Sequence, residues 1–162
     1  MPTLHRRDLL RAAGAATALA LLPYDAADTW ARVLSGIPPR DGLTGAQLAR
    51  VGAIADVIFP RSDSPSATEV GVPAFVNVIV SENYSDAERA TFVTNLELLN
   101  ADAIDAIEQG DRRAEPARTY WRLKGLIVHG YFTSERVSKD VLHTEIMPGR
   151  FDGAAPMPAR HG

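Results

Sequence analysis

The chain has 162 residues, enough for one domain of common size with a leader and a tail. It holds no cysteine, which excludes disulfides, iron–sulfur clusters, thiolate zinc sites and covalent haem attachment. Residues 1–23 hold three Arg and one Asp, and setting them aside takes the 17 basic and 20 acidic residues to 14 and 19, a mildly acidic body with no basic run that argues against nucleic acid and anionic lipid surfaces.

The first element is a leader. His5-Arg6-Arg7-Asp8-Leu9-Leu10-Arg11 is a twin-arginine core, with Arg6 and Arg7 as the pair and Leu9 and Leu10 in the hydrophobic places that follow. An Ala- and Leu-rich run over residues 12–22 comes next and Pro23 breaks it, the layout of an export signal. The run is about half the length needed to cross a bilayer core. The alternative is an Arg-capped amphipathic helix belonging to the fold. Ala18-Leu19-Ala20 and Ala26-Ala27 are candidate cleavage points, and a leader that is never removed is the other option.

Residues 1–27 are therefore assigned as the signal, 28–43 as a linker, 44–146 as the folded domain and 147–162 as an extended tail. Within the linker, Trp30, Val33 and Leu34 admit a short helical turn. The first helix of the domain spans about 44–59. Thr44 and Gln47 have capping-box spacing, Leu48, Val51, Ala55 and Ile58 repeat at helical intervals, and Pro60 ends it. A polar loop covers 61–70. A second helix with Pro73 in its first turn buries Phe75, Val76, Ile79 and Val80, although the β-branched content also admits a strand.

Ser85 and Glu88 open a third helix with the stripe Phe92, Leu96, Leu99, Ala103 and Ile107, stopped by Gly110. After a charged turn over 111–115, Pro116 starts a fourth helix that reaches about Phe132. A short fifth helix is expected from 133 or 134 to His143. The expected class is all-α, a small bundle of four to five helices preceded by a signal helix and followed by the tail.

The fourth helix is too apolar for an outer position. At about 100° per residue, Arg118, Arg122 and His129 share one narrow sector. Tyr120, Trp121, Leu123, Leu126, Ile127, Val128, Tyr131 and Phe132 fill most of the remainder, with Lys124 the sole charge there. The helix is either the centre of the bundle or packed between the core and another protein. Tyr120, Trp121, Tyr131 and Phe132 are the residues expected at such an interface.

No catalytic, cofactor-binding or metal-ligating set emerges. The sequence has no Gly-rich dinucleotide turn, no phosphate-cradling loop and no Cys-x-x-Cys-His. His129 and His143 stand on different expected helices, and Ser134 reads as a helix cap. Asp56 and Asp63 read as structural carboxylates.

Three stretches carry a family resemblance. Ile54-Ala55-Asp56-Val57-Ile58-Phe59-Pro60-Arg61-Ser62-Asp63-Ser64-Pro65 leads to Gly71-Val72-Pro73-Ala74-Phe75-Val76. Leu123-Lys124-Gly125-Leu126 is followed by Gly130-Tyr131-Phe132-Thr133-Ser134-Glu135, and Met147-Pro148-Gly149-Arg150-Phe151-Asp152-Gly153 closes the set. In order and spacing these resemble the gluconate 2-dehydrogenase subunit 3 family over about residues 44–153. The chain departs from that pattern in a short connection before the fourth helix and in lacking a cysteine near the end.

The resemblance implies an accessory, non-catalytic subunit without a cofactor of its own. Its partners would be a large FAD-containing subunit of the glucose–methanol–choline type, a multihaem cytochrome c in many such complexes, and the twin-arginine translocase. It implies a periplasmic location, with the complex as the means of attachment at the inner membrane. The alternatives are a stand-alone periplasmic binding or structural helical protein, and a lone enzyme built on His129 or His143.

Overall fold

The computed structural model describes residues 25–110 and 115–143. The signal residues Arg6, Arg7, Leu9 and Leu10, and the tail 147–162, lie outside the described residues. Among the described residues there are six α-helices, one π-helical turn and no strand.

The first helix, α1 (Ala26–Leu34), occupies the stretch expected to link leader and domain, with its first residues in the segment assigned to the signal. Asp25 caps it, its carboxylate accepting from the Ala27 amide at 2.7 Å. Thr29 is buried, and Ala26, Trp30 and Val33 pack on the core, so a full amphipathic helix stands where a turn was expected. Arg32 pairs with Glu82 at 2.5 Å and ties α1 to the third helix.

The next helix, α2 (Gly45–Ile58), begins with the expected Thr44–Gln47 capping box. Then α3 (Val72–Asn83) starts after Gly71, whose φ of 87° is the left-handed region that glycine favours, and carries Pro in its first turn. The strand alternative for this segment is excluded. Val72, Phe75, Val76, Ile79 and Val80 are all fully buried, and burial on several faces outweighs the weak helix propensity of β-branched residues.

Two helices, α4 (Asp86–Leu98) and α5 (Ala101–Gln109), replace the single third helix expected over 85–110. The hydrophobic stripe continues across the break because both pieces face the same core. Asn100 recaps the chain there, its side chain accepting from the Ala103 amide at 2.8 Å. Ile107 is the one buried residue of α5.

The last long helix, α6 (Ala117–Thr133), is the centre of the bundle, touching α1, α2, α3 and α4. Its buried residues include Tyr120, Leu123, Leu126, Ile127, Gly130 and Tyr131. Gly130 lets α6 pack tightly on α3, for a Cβ there would sit 2.8 Å from Phe75 Cδ1. The expected fifth helix is present as a π-helical turn over Val137–Val141, with Val137 buried.

Candidate functional site

The first two family-like stretches meet at one corner of the bundle. The loop after α2 is built by its own backbone and by Asp56. The Ala67 amide donates to the Phe59 carbonyl at 3.1 Å, and the Thr68 amide donates to Asp56 Oδ1 at 2.8 Å, so Asp56 is a structural carboxylate. The Ser66 amide donates to Glu69 at 2.8 Å, and Arg61 also pairs with Glu69. The end of α6 holds this loop from the other side. Tyr131 Oη donates to the Pro65 carbonyl at 2.9 Å, and its ring stacks on Phe59 at 4.1 Å and 3°. Phe132 meets Phe59 edge-on at 5.6 Å.

Trp30 seats α1 on the same corner. Its indole lies 5.0 Å from the Phe75 ring, and Nε1 donates to Thr133 Oγ1 at 3.1 Å. Thr133 Oγ1 in turn donates to the His129 carbonyl at 2.7 Å. Between α1, the loop and the π-helical turn runs a groove of about 650 Å³. Ala27, Trp30, Leu34 and Val70 supply its apolar lining, and Glu69, Glu135, Arg136, Lys139 and Asp140 supply charge. Lys139 is paired with Glu135 at 2.5 Å. A smaller, more polar hollow of about 230 Å³ adjoins it, lined by Arg61 to Pro65, Glu69, Arg136, Asp140 and Val141.

The four aromatic residues expected at an interface divide. Tyr120 and Tyr131 are buried at 1% and 3% exposure, so their surface is already committed to this chain's core. Tyr120 Oη donates to Glu108, which also binds Lys124 at 2.5 Å and so pins α5 to α6. Burial first, then that carboxylate, raise the Tyr120 phenol well above its usual range. Trp121 is half-buried, with Lys124 Nζ 5.0 Å from its ring centroid. Phe132 stands 45% exposed beside the loop.

His129 is half-buried next to Phe75, and burial lowers its imidazole below the ordinary value. His143 lies beyond the π-helical turn, its Nδ1 3.1 Å from the Lys139 carbonyl. Ser134 caps the turn it precedes, as expected, with Oγ accepting from the Val137 amide at 3.4 Å. Among the described residues no cluster of three or more His, Cys, Asp or Glu is placed to hold a metal ion.

The sequence reading missed Ala27, Trp30 and Leu34 as groove residues. Their i, i+3, i+7 spacing was a usable signal, hidden because they fall across the assumed boundary between leader and linker. Val57, 75% exposed on α2, was likewise read only as part of a motif.

A family model described as gluconate 2-dehydrogenase subunit 3 matches residues 45–110, from the start of α2 to just past α5. That match includes the loop and the α3 wall behind it, and ends before α6. No curated protein and no solved structure matches the chain.

Proposed function

We propose, from the match of residues 45–110 to a family model of gluconate 2-dehydrogenase subunit 3, that the chain is the non-catalytic small subunit of a periplasmic FAD-dependent sugar, sugar-acid or polyol dehydrogenase. In this reading the large flavoprotein subunit carries FAD and performs the oxidation, and a cytochrome c subunit accepts the electrons. The small subunit stabilises the flavoprotein and supplies the twin-arginine leader with which the folded pair is exported.

The observation that carries the reading is the corner just described. The Ser62-Asp63-Ser64-Pro65 loop lies inside the family match, and Tyr131 fixes it from the far end of α6. Leu34, 76% exposed, lines the open groove, and Phe132, 45% exposed, stands against Phe59 beside the loop. Exposed apolar residues gathered at a rigid, motif-bearing corner mark an interaction surface. A partner laid there meets a surface already ordered by buried contacts, which lowers the entropic cost of association. Arg6, Arg7, Leu9 and Leu10 support the export role.

The test is export of the partner. Replacing Arg6 and Arg7 together by Lys should leave the dehydrogenase folded in the cytoplasm and remove most of its periplasmic activity. Normal periplasmic activity in that double variant would defeat the export role.

A further inference from the structure

We infer that, in the precursor, the groove beside α1 seats the apolar run 12–22 of the chain's own leader, turned back antiparallel to α1. The join between the two is short. Pro23 ends the run and Asp25 already caps α1, which leaves a three-residue connection over 23–25. Helices joined by two to five residues pack as antiparallel neighbours.

The face of α1 available to such a neighbour is the groove wall. Ala27, Trp30 and Leu34 line it, and Leu34 is 76% exposed among the described residues. Length also fits. As a helix the run would span about 16 Å, and α1 spans about 13 Å at the same rise.

Charge points the same way. Ahead of the run stand Arg6, Arg7 and Arg11 against Asp8, a net positive segment. The groove lining holds Glu69, Glu135 and Asp140 beside Arg136 and Lys139, one carboxylate in excess, with Arg61 paired to Glu69 at its rim. The tail is a poorer occupant, since Ile146, Met147 and Phe151 are interrupted by Pro148 and Gly149.

The consequence rests on the proposed function. A leader held in the groove is not offered to the translocase, and a partner that takes the groove releases it. Tethering gives the leader an effective concentration of about millimolar, so only a tight, correctly folded partner displaces it. Export then follows assembly.

The geometry is tested on the purified precursor alone, apart from any partner. The chain has no native cysteine, so paired substitutions report proximity without background. Ala15→Cys should cross-link within one chain to Leu34→Cys on α1 and to Lys139→Cys on the opposite wall. Each should react about tenfold faster than Ala15→Cys with Val57→Cys, through the local concentration a seated helix creates. Leu34, Lys139 and Val57 are exposed, so these substitutions leave the core intact.

Equal rates at Val57 would overturn the inference. So would cross-linking to Leu34→Cys without Lys139→Cys, cross-links only between copies, or capture of Leu34→Cys by Met147→Cys in place of Ala15→Cys. None of these results would touch the accessory-subunit reading, which stands on partner capture and export.

Discussion

At Gly130 the absence of a side chain sets how closely α6 and α3 approach. A Cβ there would meet Phe75 Cδ1 at 2.8 Å, and Phe75 is fully buried with Trp30 5.0 Å from its ring. The ring has nowhere to move without displacing the contact that seats α1. Gly130→Ala should therefore destabilise the chain by about 1–3 kcal/mol, the usual range for overpacking, read as a lowered denaturation midpoint. An unchanged midpoint would mean that the helices separate freely at this crossing.

His129 gives the chain a pH response with a defined sign. Burial depresses its imidazole below the ordinary value of 6.5, so between the two values the unfolded chain binds more protons than the folded one. Stability is then full above about pH 6.5 and falls as the pH drops through the folded-state value. Glu88 and Glu135 do not share that window. Hydrogen bonds from Ser85 and Lys139 respectively hold them below the usual carboxylate range, and they stay ionised through it. Thermal melts between pH 7.5 and 5.5 should show the decline, and His129→Gln should flatten it. A wild-type midpoint constant across that interval would contradict the assignment.

Among the elements, the helix starts carry the most checkable chemistry. Ser85 accepts from the Glu88 amide at 3.4 Å, Glu88 returns the bond to the Ser85 amide at 3.1 Å, and Glu88 also approaches Arg122 of α6 at 3.5 Å. Ser85→Ala should cost about 1 kcal/mol, and Arg122→Ala much less because that pair is exposed. Chemical denaturation of both variants checks the order, and a larger loss at Arg122 would reverse it.

These starts were also the most legible part of the fold. Both capping boxes are local, so sequence spacing alone located Thr44 and Ser85 as helix entries. The break at Asn100 was hidden because Phe92, Leu96, Leu99 and Ile107 keep one helical phase across it, and periodicity reports only which face is buried. Asn100 itself was the overlooked sign. The extent of α1 was hidden for a different reason. Ala27, Trp30 and Leu34 repeat at helical spacing but straddle the boundary drawn after residue 27, and the contacts that bury Trp30, on Phe75 and Thr133, are distant in sequence.

For the whole molecule, α6 resolves the choice left open by its composition. Tyr120, Leu123, Ile127 and Tyr131 are core, which explains most of its apolar circumference without a partner. Among the described residues Phe132 keeps apolar surface exposed at the end of that helix, and Leu34 does so on the groove wall. The aromatic pattern drew attention to the right end of α6 but could not separate Tyr131, turned inward to Pro65, from Phe132 beside it. That distinction requires knowing where the loop folds. Leu34→Asp and Phe132→Asp should leave the isolated chain within about 0.5 kcal/mol of wild type, as surface changes do. Each should weaken capture of the large subunit at least about tenfold, as loss of an apolar interface anchor does.

The proposal that this chain is a partner subunit stands or falls on purification of the tagged protein from its native cells. The absorbance spectrum and the masses of co-purifying chains are the readout. A larger chain in stoichiometric amount with a flavin spectrum is expected, depleted in the Leu34→Asp and Phe132→Asp variants. A lone, colourless, well-folded monomer would contradict it and favour a stand-alone helical protein whose groove serves another ligand.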